Sequence, residues 1–333
     1  MSVDSRVVFV DLLRFVAALQ MLQGHTIAAL LAPTARHGPW FALWSAARGL
    51  TSVAFLFAAG LSFYLATERA RDPRAPRRRV LRALRLIALG YLLHLPLAAL
   101  FTSDPASRLR ALHELAAVDV LQCIGVSLLA LEALRHVPGR APLAAALGCA
   151  CIALAPLAAA LPVAGNFRPL LAYLGPSGGS LFPLSPWSGH LLLGFACGWL
   201  VRAPLRVGLL TRLTALSALG FAVYAACAAA GAATAIGDHV LRLSWVVLAS
   251  AGLCWLGARL GRPPAWLLEL ASNTLLLYVF HVLLVYGQGV GLASWVGPTL
   301  GPGGALLAAL GVIAASAAVA MGYERLARAR GTG

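Results

Sequence analysis

The chain has 333 residues, 60% of them hydrophobic and only 11% charged, with a mean hydropathy of +0.84. No soluble domain of this length carries such a composition, which is that of a polytopic helical membrane protein. The net charge of +15 rests wholly on arginine, for the chain contains no lysine. These arginines fall in short loops between apolar spans, where they set topology, so the basic total does not indicate nucleic acid.

Ten apolar runs, separated by Pro, Gly and Arg clusters, predict membrane helices at 7–31, 49–67, 84–102, 115–134, 142–164, 186–201, 208–231, 241–258, 265–287 and 303–323. The fold class expected is therefore all-α, a polytopic membrane bundle of about ten transmembrane helices, forming a single integral membrane domain over residues 1–333. With a cytoplasmic N-terminus, the arginine-rich stretches ERARDPRAPRRRVLRALR, RHVPGR, RAPLR, ARLGRPP and ERLARAR all lie inside. The reverse orientation violates the positive-inside rule at nearly every loop, so both termini are expected to be cytoplasmic. No internal repeat points to the inverted-repeat layout of many secondary transporters. Asp11 and Arg14 interrupt the stretch that a cleavable signal would need, so none is expected. Cys123, Cys149, Cys151, Cys197, Cys227 and Cys254 lie in apolar spans and read as small hydrophobes rather than a disulfide framework. The small-residue runs GAATAIG and AASAAVAMG are either faces of a homodimer or ordinary internal packing.

The first span carries chemistry that an anchor does not need. At about 100° per residue, Asp11, Arg14 and His25 share one stripe of it, with His25 roughly 21 Å along the axis from Asp11. Ionisable side chains in a membrane face a protein interior or an aqueous cavity and usually serve a function. In the expected orientation His25, His113, Glu114, His190 and His281 lie toward the outer side, and Asp11, Arg14, Glu132 and Glu269 toward the inner side. Asp119 and Gln122 share a face of span four, and Ser272, Asn273 and Thr274 add polar groups to span nine. Each has a structural alternative: Asp11 with Arg14 as a neutralised helix tie, His25 as a core histidine bonded to a carbonyl, His37 as a solvated loop residue, and Asp119 as a partner of nearby backbone. His94 and His136 read as structural or interfacial. The gathering of several histidines at one depth is what favours a site.

The loop after span two holds eight arginines within residues 69–85, and Arg78, Arg82 and Arg85 share a helical face entering span three. Topology and attraction to anionic membrane lipid account for such a run. So does binding of the phosphates of a cytosolic donor, for which the guanidinium fork is well shaped. The chain has no GxxxxGK[ST], HExxH, paired CxxC or GxSxG, so a P-loop, a metal site and a hydrolase elbow lack support.

Several stretches together resemble known transmembrane acyltransferases. VDLLRFVAALQMLQGH is similar to the first-helix pattern of the acyltransferase 3 family, D-x-x-R-x-x-A ending in histidine. ARGLTSVAFLFAAGLSF, VDVLQCIGVSLL and FPLSPWSGHLLLGFACG resemble the heparan-α-glucosaminide N-acetyltransferase-like group, and SNTLLLYVFHVLLVYG resembles both. The resemblance implies an enzyme that takes an acetyl or other acyl group from cytosolic acyl-CoA and delivers it to a glycan or glycoside on the extracytoplasmic side. Acetyl-CoA is the donor it implies, with no metal. It implies that Arg78, Arg79, Arg82 and Arg85, with Arg14, meet the donor, and that His25 is the first-helix histidine. The lysosomal enzyme of that group carries its histidine later, in the following loop, where His37 is the nearest equivalent, so the base is His25 or His37.

The chemistry stands beside the resemblance. A neutral imidazole can deprotonate a sugar hydroxyl or amine as it attacks a thioester, a contribution of about 10²–10⁴ in rate. Glu114 or Asp119 is placed to orient an imidazole, and His190 and His281 are further catalytic candidates. Direct transfer and an acyl-histidine intermediate both remain open. The competing functions are a transporter or flippase of a lipid-linked sugar, and a membrane scaffold. The alanine-, leucine- and arginine-rich composition resembles that of a bacterial inner-membrane protein from a GC-rich genome.

Overall fold

The computed structural model describes residues 8–69, 72–96, 104–161, 168–176, 179–201, 208–231, 236–260 and 263–331. Among these residues the chain is helical and forms no strand. Its helices are α1 (Val8–Leu30), α2 (Gly38–Gly49), α3 (Thr51–Arg69), α4 (Ala75–Leu93), α5 (Pro105–Leu115), α6 (Val120–Ala133), α7 (Arg140–Ala153), α8 (Ala155–Ala159), α9 (Arg168–Leu174), α10 (Leu184–Val201), α11 (Leu209–Ala229), α12 (Asp238–Leu260), α13 (Ala265–Ser272), α14 (Thr274–Tyr286), α15 (Leu292–Trp295) and α16 (Pro302–Ala329).

By length and composition, four helices among the described residues can cross a membrane: Gly38–Arg69 as one stretch, Leu209–Ala229, Asp238–Arg259 and Pro302–Ala329. The pair Ala265–Ser272 and Thr274–Tyr286 makes a fifth if its 70° bend lies within one span. The other expected spans fall on helices that are more polar, shorter or broken. α1 is 23 residues long but carries Asp11, Arg14, Gln20, Gln23 and His25. α6 and α7 have 14 residues each, and α10 has non-helical backbone at Ser185.

Two boundaries differ from expectation for identifiable reasons. The helix expected from residue 84 starts at Ala75, because arginine is a good helix former and Pro76 sits in the first turn, where its missing N–H costs nothing. It ends at Leu93, and residues 97–102 of that expected span lie outside the described residues. The helix expected over 142–164 stops at Ala153 and restarts as α8 at Ala155, with Pro156 in its first turn; residues 162–164 again lie outside the described residues.

The chain divides into two compact units, residues 1–55 with 249–333, and residues 56–248. In the first unit α1 packs along α16 and against α13 and α14. The buried stripe of α16 is mostly small, Ala305, Ala309, Ser316 and Ala320 with Val312 between them, which lets the helices approach closely. Ala32 N–H donates to Leu300 O at 2.8 Å and Leu300 N–H to Leu30 O at 2.9 Å, tying the end of α1 to the start of α16.

In the second unit α10 packs against α7 and α6, and α4 runs antiparallel to α6. The register of α4 on α6 is fixed by small-residue contacts and one ion pair: Gly90 faces the Gln122 amide, Gly125 faces Ala83 O, and Arg79 meets Glu132. α3 meets α10 backbone to backbone. A Cβ on Gly60 would lie 1.8 Å from Leu191 O, so only glycine fits there.

Candidate functional site

The break between α13 and α14 positions the first unit's polar residues. At the break the Asn273 Nδ2 donates to Glu269 O at 2.9 Å, beside the Asn273 backbone N–H that bonds the same carbonyl, and to Glu324 Oε1 at 2.7 Å. Arg328 Nη2 then donates to Glu269 Oε1 at 2.5 Å. Span nine was expected as one helix over 265–287; the hydrogen-bonding Ser-Asn-Thr segment is where it breaks. Restarted at Thr274, α14 buries Leu277, Tyr278, His281 and Val285, a stripe at i, i+1, i+4 and i+8.

That phase carries His281 to His25. His25 Nδ1 lies 2.9 Å from His281 Nε2, with the rings tilted by 33° and centroids 5.1 Å apart. His281 is fully buried, and its Nδ1 lies 3.0 Å from Leu277 O. His25 is half-buried. Tyr286 Oη donates to His25 O at 3.0 Å, and its ring stands edge-on to the His25 imidazole. On the neighbouring turn the stem of Arg48 crosses Gly24, and Trp44 Nε1 donates to Gln23 Oε1 at 2.9 Å. One turn from each histidine, Leu22 and Leu277 line an apolar cavity of about 320 Å³. The pair thus has an apolar flank on one side and a polar, partly open one on the other.

The remaining candidates sort by what they touch. His37 is exposed ahead of α2 and, among the described residues, makes no side-chain hydrogen bond. Arg14 Nη2 donates to Thr274 Oγ1 at 3.3 Å, at the helix break. In the second unit Glu114 is exposed near the end of α5, short of the helix it was expected to open. Asp119 precedes α6, with Oδ2 3.3 Å from His94 Nε2, and His94 Nδ1 lies 2.9 Å from Gly90 O. Within its own unit, the side chain that His25 meets is the imidazole of His281. His190 is fully buried, with Nε2 3.1 Å from His239 Nδ1 and the Trp187 ring beside both.

The arginines of α4 divide. Arg79 is engaged in a buried pair with Glu132, Nε to Oε2 at 2.7 Å and Nη2 to Oε1 at 3.2 Å, with Arg135 3.3 Å from the same carboxylate. Arg78 is exposed and bonded to Asp72 at 2.7 Å. That bond and the Arg74 backbone N–H hold the Asp72 carboxyl below its ordinary value, the backbone bond contributing more. Arg82 and Arg85 are exposed and, among the described residues, have no carboxylate partner. With Arg77, which is likewise exposed, their guanidinium groups are open to an anion.

Sequence reasoning missed His239. It stands between Asp238 and Arg242 at the start of α12, just outside the span expected over 241–258, and only the packing of α12 shows its partner, His190. Among the described residues no group of three His, Cys, Asp or Glu could hold a metal ion.

The model of one family, heparan-alpha-glucosaminide N-acetyltransferase, catalytic, matches residues 6–222, well over half of the chain. The chain belongs to this family. This heparan-alpha-glucosaminide N-acetyltransferase catalytic region is an acetyltransferase domain, and the apolar helices are those of an integral membrane protein. The matched region includes His25, His37, the α4 arginines, Asp119 and His190, while His239 and His281 lie beyond it. The likeness of the first helix to acyltransferase 3 remains one of pattern. No curated protein sequence matches the chain.

Proposed function

We propose that the protein transfers an acetyl group from cytosolic acetyl-CoA to a sugar hydroxyl or amine on the extracytoplasmic side of a bacterial inner membrane, with His25 as general base. The observation that carries this reading is the imidazole pair, His25 Nδ1 against His281 Nε2 at 2.9 Å. A lone core histidine needs only a carbonyl. Here a half-buried imidazole is backed by a second that is itself anchored to a carbonyl, which is how a base is held for proton transfer. Family membership supplies the reaction class. Of the two candidates, His25 on α1 has the oriented ring, and His37 in the following loop is solvated.

In the step proposed, His25 takes the proton of the acceptor hydroxyl or amine as its oxygen or nitrogen bonds to the thioester carbonyl carbon. The C–S bond then breaks, and the CoA thiolate leaves and takes up the proton. Arg82 and Arg85 are the proposed phosphate contacts of the donor, because they alone among the candidate arginines of α4 lack a carboxylate among the described residues. Arg79 is assigned to structure, and Arg78 to both, since its Asp72 partner is exposed and exchangeable. The excess of arginine in the stretches named above supports cytoplasmic termini.

The broken helix at Asn273 favours a second reading, transport of a solute or lipid-linked sugar, since discontinuous helices recur in transporters. One assay separates the two. Purified protein incubated with acetyl-CoA and glucosamine as the probe acceptor releases CoA and forms acetylglucosamine if it is a transferase. In proteoliposomes, movement of glucosamine without CoA release would overturn the proposal.

A further inference from the structure

This inference rests on the reading of His25 as base and concerns which nitrogen acts and what selects it. The Leu277 carbonyl oxygen, 3.0 Å from His281 Nδ1, can only accept a hydrogen bond, so Nδ1 of His281 carries the hydrogen. His281 is fully buried with no carboxylate in contact among the described residues, and a cation there would be an uncompensated buried charge, so the ring is neutral. A neutral imidazole has one N–H, so its Nε2 presents a lone pair. Facing that lone pair at 2.9 Å, His25 Nδ1 must be the donor. The remaining nitrogen of His25, Nε2, is then the one with a free lone pair.

We propose that His281 is a positioning residue that, through the Leu277 carbonyl, holds His25 in the Nδ1–H tautomer and makes Nε2 the basic atom. The alignment runs from backbone to base in two hydrogen bonds. It survives turnover: when the acceptor's proton arrives on Nε2, the His25 imidazolium still donates Nδ1–H to His281, whose lone pair and carbonyl anchor face the new charge. A neutral orienter avoids burying a carboxylate at membrane depth, where an unpaired charge is costly. The i, i+4 spacing of Leu277 and His281 on α14 brings the carbonyl and the imidazole together.

The test uses the full-length protein labelled with ¹⁵N-histidine, in wild type and in His281→Gln and His281→Leu. The His25 resonances are assigned by their loss in His25→Gln. Wild type should show His25 as the Nδ1–H tautomer. In His281→Gln the amide oxygen can accept from His25 and the amide N–H can donate to Leu277 O, so the tautomer should persist. In His281→Leu it should shift toward Nε2–H. CoA release with glucosamine should stay within about tenfold of wild type in the Gln variant and fall about 10²-fold or more in the Leu variant, the scale of losing a general base. A wild-type His25 protonated at Nε2 would overturn the inference even if the enzyme is active. Equal losses in Gln and Leu would also overturn it. The expected tautomer in a protein that releases no CoA would sink the acetyltransferase reading and leave this one standing.

Discussion

Arg79 and Glu132 close a buried ion pair between α4 and α6, Nε to Oε2 at 2.7 Å, with side chains 14% and 8% exposed. The same pair engages Arg79, while Arg82 and Arg85 have no carboxylate partner among the described residues. Arg79→Ala would strand Glu132 with only the looser Arg135 contact, so thermal unfolding in detergent should show a loss of about 3 kcal/mol, the low end for breaking a buried pair. An unchanged melting temperature would mean that Arg79 is free to serve a ligand.

Arg82→Ala and Arg85→Ala should behave in the opposite way. Without donor, their melting temperatures should match wild type, because exposed side chains lacking an ion pair contribute little. With acetyl-CoA near 100 Kd, wild type should gain about 2.7 kcal/mol, and the variants visibly less at the same concentration. If both variants respond to acetyl-CoA as wild type does, the donor phosphates lie elsewhere.

His25→Ala separates chemistry from binding. CoA release with glucosamine should fall about 10²–10⁴-fold, while stabilisation by acetyl-CoA persists. His37→Ala should leave both unchanged, as befits a solvated loop residue. The reverse pattern would move the base into the loop.

The helix seams give a control that is independent of function. Gly60→Ala places a methyl against Leu191 O and should cost about 1–3 kcal/mol or more in unfolding measurements. Gly311→Ala, with open space around it, should instead stabilise by about 0.5–1 kcal/mol, since helical glycine carries an entropic cost. Comparable effects from both would show that α3 and α10 are not in backbone contact.

Asp72 sets a pH dependence with a definite sign. Its folded carboxyl is held below its ordinary value of 3.8 by the Arg74 N–H and then Arg78. A depressed value means that the stabilisation is fully present above 3.8 and is lost as pH falls through the lower folded value. Melting temperatures of wild type and Asp72→Asn should therefore differ by a small constant above that pH and converge in stronger acid. A difference that grows on acidification would contradict the contact.

Much of the architecture was legible because composition and periodicity are local signals. The all-helical class and the family resemblance were readable, and the spans expected over 49–67, 208–231, 241–258 and 303–323 correspond to helices within a few residues at most ends. His25 and His281 stood out as candidates in the sequence, since an imidazole inside an apolar run is costly wherever it falls. The basic segment was legible as a segment, but not arginine by arginine. Arg79, Arg82 and Arg85 differ in role only because α6 brings Glu132 to the first and nothing of opposite charge among the described residues to the others.

By itself, the sequence determined an all-helical chain with apolar spans and imidazoles inside them, because hydrophobic transfer and the cost of polar groups in apolar runs act residue by residue. Only the tertiary structure decided which imidazole meets which. His25 and His281 are 256 residues apart and meet through the packing of α1 on α14. That contact depends on a helix break at Asn273 held by Glu269 and Glu324 from two different helices. A hydrogen bond fixes a tautomer only at contact distance, and contact between residues so far apart in the chain is set by how the helices pack.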